Sequence, residues 1–143
     1  MEIILFRKDD NSIGYIYSGS EFHSLEEIAV LDVPKGAEWK IIDEEELPAD
    51  KTFRDAWVWN DGKVDVSLEK AKEIVKDWLR KLREPIFEKL DLAYMRAMEA
   101  KDVELQEQIS AKKQQLRDIT KLDMPDNLEE LKSFEPEILK EEE

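Results

Sequence analysis

The sequence predicts an α+β protein: a small antiparallel β-rich N-terminal head, a long antiparallel α-helical hairpin and a short C-terminal helix. All four glycines and three of the four tryptophans lie in the head, residues 1–66. Residues 67–143 contain no glycine, and their apolar residues recur every three or four positions, the period of an amphipathic helix. These observations place the hairpin at residues 67–120 and a short helix with an acidic tail at residues 121–143.

The composition excludes several classes of function. The chain of 143 residues contains no cysteine, so it forms no disulfide, zinc–cysteine site or thiol nucleophile. Its formal net charge of −14 opposes binding to nucleic acid or anionic membrane, because those contacts need clustered Lys and Arg. No stretch approaches the roughly 20 apolar residues of a transmembrane helix, and the first residues lack the basic region of a signal peptide. We therefore expect a cytosolic protein that binds neither nucleic acid nor membrane.

The head is expected to form an antiparallel sheet of about four or five strands with one small helix. Asn60, Asp61 and Gly62 form a turn typical of a two-residue hairpin loop. Ser24 is the predicted N-cap of the helix, which ends before Pro34. The strands are predicted where short runs are apolar or alternate in polarity: residues 3–6, 13–17, 39–42, 53–59 and 63–66.

The helical hairpin begins at Ser67, its predicted N-cap, and its first helix carries Pro85 in the interior. Proline lacks an N–H and clashes with the preceding turn, so we expect a kink or a very short interruption there. The second helix is predicted from Asp102, as N-cap, to about Thr120. Since the connection is very short, the two helices should lie antiparallel. One further short helix is predicted at residues 128–132.

No sequence motif indicates catalysis, a cofactor or a metal. His23 is the single histidine and lacks the second histidine or HExxH carboxylate that would fix a metal, so a solvated or hydrogen-bonded loop residue is expected. The four consecutive acids at residues 43–46 do not alternate with other residues as calcium ligands do. We therefore assign no catalytic, cofactor-binding or metal-binding residue and predict that the chain is not an enzyme.

The aromatic residues admit two interpretations. Trp57 and Trp59 project to the same face of one predicted strand, and core packing is favoured because aromatic side chains dominate small cores. The alternative is a partner-binding patch, since Trp and Tyr are enriched at interface hot spots. The hairpin's second helix has a thin apolar stripe, which favours pairing with another chain and thus a homo-oligomer or a larger assembly. The candidate partner-binding residues are Tyr15, Tyr17, Trp57, Trp59, Tyr94, Met98 and Ile109.

Two blocks, Thr-Phe-Arg-Asp-Ala-Trp at residues 52–57 and Met-Arg-Ala-Met-Glu-Ala at residues 95–100, carry a resemblance to a protein group. Across residues 30–133 the order of segments resembles small proteins encoded in the tail regions of tailed phages and prophages, similar to tail-fibre assembly proteins or tail assembly chaperones. Relatives often have glycine, a natural helix C-cap, where this chain has Lys101. The resemblance implies a non-enzymatic protein of the bacterial host cytosol or the virion, with a phage tail or tail-fibre protein as partner and no cofactor.

Two other functions stay open from the sequence. The charge of −14 is compatible with an acidic phage-encoded inhibitor or decoy of a nucleic-acid-binding host protein, although residues 69–73 interleave basic with acidic side chains. A small hydrolase with two carboxylates is the third alternative, and it requires a cleft that holds both acids at a fixed separation.

Overall fold

The computed structural model describes residues 1–19 and 22–140 and confirms the α+β class. The chain divides into two compact units, Met1–Ala71 and Lys72–Glu143, called here the N-terminal and the C-terminal unit. The strands and α-helices of the described residues are β1 (Glu2–Arg7), β2 (Ile13–Tyr17), α1 (Leu25–Asp32), β3 (Trp39–Asp43), β4 (Trp57–Asn60), β5 (Lys63–Val66), α2 (Leu68–Glu99), α3 (Val103–Arg117), α4 (Leu128–Lys132) and α5 (Glu137–Lys140).

The N-terminal unit contains two antiparallel sheets, so the expectation of a single sheet was wrong. One sheet has the strand order β2-β1-β3, and the other is the β4–β5 hairpin. Two contacts join the two sheets. One is an isolated β-bridge between Ser12 and Val58, and the other is a hydrogen bond of 2.9 Å from the Trp59 N–H to the Asn11 carbonyl. The predicted Asp-Gly turn is confirmed, because both of its residues, Asp61 and Gly62, adopt the positive φ that such a turn requires.

The strand predicted at residues 53–59 is shorter than expected. Arg54–Ala56 forms a 3₁₀ turn, and β4 begins only at Trp57. Three side chains of this segment are buried: Phe53, Ala56 and Trp57. Their spacings of three and one residues allow all three to face the core from a helical turn, but not from an extended strand, in which successive side chains alternate between faces. Burial of these three side chains therefore overrides the alternating pattern of polarity.

Strand β1 is buried on both faces and forms the centre of the N-terminal unit. Ile3 and Leu5 face a cluster that includes Trp57, while Ile4 faces a second cluster that includes Ala29 of α1. Successive side chains of a strand point to opposite faces, so this alternation places α1 on one side of the sheet and the β4–β5 hairpin on the other. The Ser24 hydroxyl accepts a hydrogen bond from the Glu27 N–H, which confirms the predicted N-cap of α1.

Gly14 is fixed by a close approach in this sheet, because it lies directly opposite Phe6 in the β1–β2 register. A Cβ atom at Gly14 would lie 2.1 Å from Cζ of the Phe6 ring. Gly14→Ala is therefore expected to displace the ring and lower the free energy of unfolding by about 1–3 kcal/mol. Urea denaturation measures the change.

The steric origin of this effect is tested in a double-mutant cycle with Phe6→Leu. Once the ring is absent, the added methyl group should cost less than about 0.5 kcal/mol. The same cost of Gly14→Ala in both backgrounds would refute the contact with Phe6 as the cause.

In the C-terminal unit, α2 and α3 form the predicted antiparallel hairpin. The contacts show the antiparallel order, because later residues of α3 contact earlier residues of α2. Gln106 donates to the Ala97 carbonyl over 3.4 Å, and Lys113 Nζ lies 2.5 Å from an Asp91 oxygen. Near the far end, Arg83 Nη1 donates to the carbonyl of Leu116 over 3.0 Å. These three contacts fix the register of the two helices along most of the length of α3.

Two backbone features of the hairpin concern the proline inside α2 and the turn that connects α2 to α3. Helix α2 continues through Pro85, so the structure shows no interruption at this residue. Lys101 adopts a φ of 58°, the conformation that favours glycine, while the Asp102 N–H donates to the Ala97 carbonyl. Asp102 is the N-cap of α3, as predicted, and accepts a hydrogen bond from the Leu105 N–H.

The segment after α3 contains one helix that the sequence did not predict. Helix α4 lies where residues 128–132 were expected to form a helix, with Asn127 as its N-cap. Helix α5 follows Pro136 and packs on α3, and its Leu139 is buried, so burial of this side chain accounts for the extra turn. The predicted acidic tail, residues 141–143, lies outside the described residues. Of the described helices, none combines the length and the apolarity needed to cross a membrane.

Candidate partner-binding surface

Among the four candidate residues of the N-terminal unit, only Tyr17 is exposed. Trp57 is 2% exposed and belongs to the core, and Trp59 and Tyr15 are partly buried against the same cluster. This placement supports the core interpretation of the two tryptophans and removes Trp57 from the candidate surface. Tyr17 is 43% exposed and contacts the Tyr15 ring edge-to-face, with 5.8 Å between the ring centroids. Partial desolvation raises the pKa of Tyr17, and a hydrogen bond to Glu44 raises it further.

The three candidates of the C-terminal unit do not form one surface. Ile109 is buried on α3, which removes its side chain from the candidate surface. Tyr94 is half-buried, and the Lys113 ammonium lies 5.7 Å from its ring centroid, so this residue stabilises the hairpin. Met98 alone is exposed, with 55% of its surface accessible.

Met98 belongs to an apolar stripe on the outside of α2 that the sequence analysis missed. Leu92, Met95 and Met98 are 50%, 59% and 55% exposed, and we call them the outer stripe. Residues three apart are neighbours on a helix surface, so the three side chains form one continuous patch. The buried Ala97 lies on the other side of α2, so the outer stripe is separate from the α2–α3 contact. The signal available in the sequence was the repeat of long apolar side chains outside the main helical stripe.

A second set of exposed apolar side chains lies in the N-terminal unit. Val30 and Leu31 on α1 are 80% and 72% exposed, and Phe22 shortly before the helix is 90% exposed. The opposite side of α1 buries Ile28 and Ala29 in the core. Each unit therefore presents a helix that is apolar on both its packed and its outward side.

The polar candidates of the sequence have local structural roles. Nδ1 of His23 lies 3.0 Å from a Glu27 carboxylate oxygen, both side chains being exposed at the start of α1. Asp43 and Glu46 form a reciprocal capping box at the first turn after β3, so their carboxylates accept backbone hydrogen bonds. Within residues 1–19 and 22–140, no three His, Asp or Glu side chains are grouped closely enough to hold a metal ion.

The outside of α2 offers a contiguous apolar surface, the kind of surface that a protein partner can bury. The charged residues Asp91, Arg96 and Glu99 border the outer stripe and are exposed, which matches the polar rim of an interface. No family model matches this chain, and no curated protein or solved structure matches it either.

Proposed function

We propose that the chain is a non-enzymatic phage or prophage tail-associated protein, an assembly chaperone or minor structural component that acts through protein–protein contacts. The observation that carries the proposal is the outer stripe, three long apolar side chains left exposed on the hairpin. The order of sequence blocks over residues 30–133 supports the assignment to phage tails. The proposed partner is a tail or tail-fibre protein, met in the host cytosol or in the virion, and a second copy of the chain is the alternative occupant.

The chemistry of the outer stripe suits a protein that engages partly folded or varied partners. Methionine is unbranched, has three rotatable side-chain bonds and carries a polarizable sulfur, so Met95 and Met98 adapt to apolar surfaces of different shape. The mixed charges around them limit unspecific association, because both signs are interspersed along the helix. An assembly chaperone needs this combination of adaptable contact and restrained self-association.

Met95→Glu is expected to weaken binding to the partner at least about tenfold, because it places a charge in the centre of a patch that binding must desolvate. The fold should be retained, since Met95 is 59% exposed and glutamate is a good helix former. The measurement is calorimetric titration of the purified chain with candidate tail and tail-fibre proteins.

Gln115→Glu is the matched control, because it adds the same charge at an exposed position of α3 outside the outer stripe. It should change the affinity less than twofold. Equal losses in the two variants would count against the outer stripe as the binding surface. A chain that is strictly monomeric and binds none of the tail proteins would overturn the proposed function.

The acidic-decoy alternative is distinguished by its dependence on salt. Along α2, the side chains of Lys76 and Arg80 form ion pairs with Glu73 and Asp77 one turn earlier, so part of the negative charge is compensated locally. Binding that depends on carboxylates mimicking phosphates should weaken steeply as the ionic strength rises. Binding through the outer stripe is expected to persist at high salt, because it depends on apolar burial.

A further inference from the structure

A groove of about 950 Å³ lies within the C-terminal unit, between α2, α3 and α5. Its floor is apolar and is formed mainly by Leu82, Ile86 and Leu90 of α2 with Ile138 of α5, and the fully buried Leu116 of α3 borders it. Leu82 is 52% exposed, so the floor is open to an incoming side chain. The groove is separate from the outer stripe, because Leu90 and Ile86 lie on the side of α2 that turns toward α3.

The rim of the groove is positively charged, in contrast to the chain as a whole. Lys89, Lys112 and Lys140 line it against a single carboxylate, that of Glu135. Lys140 lies 3.5 Å from Glu137 on the same helical turn. Within the part of the chain that the structure describes, Lys89 and Lys112 have no carboxylate within 4.0 Å. A chain with a net charge of −14 thus places two lysines, Lys89 and Lys112, at this apolar floor without an ion-pair partner among the described residues.

The length of the groove and the distribution of its charges indicate the kind of ligand. From Leu82 to Leu90, α2 rises about 12 Å, which matches roughly two turns of a docked helix. The lysines are distributed over three helices, an arrangement that suits several carboxylates along a helix better than the single head group of a small amphiphile. Their long side chains reach over apolar surface while the ammonium groups stay in water.

We propose that this groove binds an acidic amphipathic helix of a partner protein. The apolar stripe of that helix would lie on Leu82, Ile86 and Leu90, and its flanking Asp or Glu residues would pair with Lys89 and Lys112. The inference goes beyond the proposed function, because it rests on a different surface and holds whether or not the partner is a phage tail protein.

The test uses the full chain and synthetic peptides of about 18 residues, long enough to form a helix. The first peptide carries leucines at helical spacing flanked by glutamates, and the second has lysines in place of the glutamates. The third has the composition of the first, scrambled to remove the apolar stripe. Calorimetry should detect binding of the first peptide only, with an affinity that falls as salt is added.

The variant Lys89→Glu/Lys112→Glu is expected to bind the first peptide at least about tenfold more weakly. Lys81→Glu is the control for charge reversal outside the groove, since it reverses an exposed lysine of α2 that does not line the groove, and it should change the affinity less than twofold. Circular dichroism verifies the fold of each variant. If the double reversal unfolds the chain, Lys89→Gln/Lys112→Gln tests the same charges and should weaken binding about threefold.

Several results would overturn the proposal. The first is equal binding of the basic or the scrambled peptide, and the second is an equal loss of peptide affinity in Lys81→Glu. The third is binding of laurate, a small acidic amphiphile, without binding of the acidic peptide. Dimerisation of the chain that the double reversal abolishes would instead identify a second copy as the occupant. Met95→Glu should leave peptide binding unchanged, so failure of this proposal and failure of the proposed function are observed separately.

Discussion

Replacing Trp57 with alanine is expected to lower the free energy of unfolding of the N-terminal unit by about 3–5 kcal/mol. The indole is 2% exposed and packs in a cluster with Ile3, Leu5 and two other buried residues, so alanine leaves a large cavity. Because small domains are stable by only about 5–15 kcal/mol, this loss removes much of the stability of the unit. Urea denaturation followed by tryptophan fluorescence measures it, since Trp39 and Trp59 remain in the same unit.

Trp57→Phe separates the contribution of the ring from that of its polar atom. Nε1 of Trp57 is buried and has no hydrogen-bond partner among the residues described, and an unsatisfied buried donor costs about 1–3 kcal/mol. Phenylalanine removes this donor while it fills most of the space, so the expected loss is below about 1.5 kcal/mol. A loss equal to that of Trp57→Ala would contradict both the expected space-filling by phenylalanine and the cost assigned to the buried donor.

The parts of the fold that the sequence predicted correctly depend on local interactions. Ser24 and Asp102 were identified as helix N-caps because a short polar side chain accepts a hydrogen bond from the N–H group three residues later. The Asp61-Gly62 turn is similarly local, since it depends on two residues that tolerate positive φ. Such features are predictable because the interacting groups lie within a few residues of one another.

The parts that the sequence did not predict depend on tertiary packing. The alternation across residues 53–59 indicated a strand, yet burial of Phe53 and Ala56 in the same core imposes a 3₁₀ turn. The division into two sheets follows from which face of β1 each element covers, and no local pattern specifies that choice. Helix α5 was missed for the same reason, because its stabilising contact is the burial of Leu139.

The sequence did not indicate which apolar side chains of the helices are exposed, since a pattern of apolar residues does not show which side of a helix another element covers. Ile109 and Met98 are both apolar positions of predicted helices, but the first is 5% and the second 55% exposed. The packed stripe of α2 was recognised from its period, whereas Leu92 and Met95 lie outside it. Knowledge of where α3 packs is needed to tell the covered stripe from the exposed one.

Leu116→Ala is expected to lower the free energy of unfolding of the C-terminal unit by about 2–5 kcal/mol. Its side chain is fully buried on α3, and its carbonyl accepts a hydrogen bond from Arg83 of α2 over 3.0 Å. Arg83 also donates to the Arg117 carbonyl over 3.3 Å and lies 5.8 Å from the centroid of the Phe87 ring. A cavity at this position therefore loosens the point at which α3 is bound to α2. Urea denaturation followed by far-UV circular dichroism measures the loss, since α2 and α3 dominate the helical signal.

Leu105→Ala is the matched control, because it removes the same atoms from the same helix at a position that is 40% exposed. Water and neighbouring side chains can occupy the space at that site, so the expected loss is below about 1 kcal/mol. Equal losses of unfolding free energy in the two variants would mean that the buried and the exposed leucine of α3 stabilise the hairpin equally. A much larger loss at Leu116 would show that the end of α3 held by Arg83 contributes more to the stability of the hairpin than the exposed side chain of Leu105 near its turn.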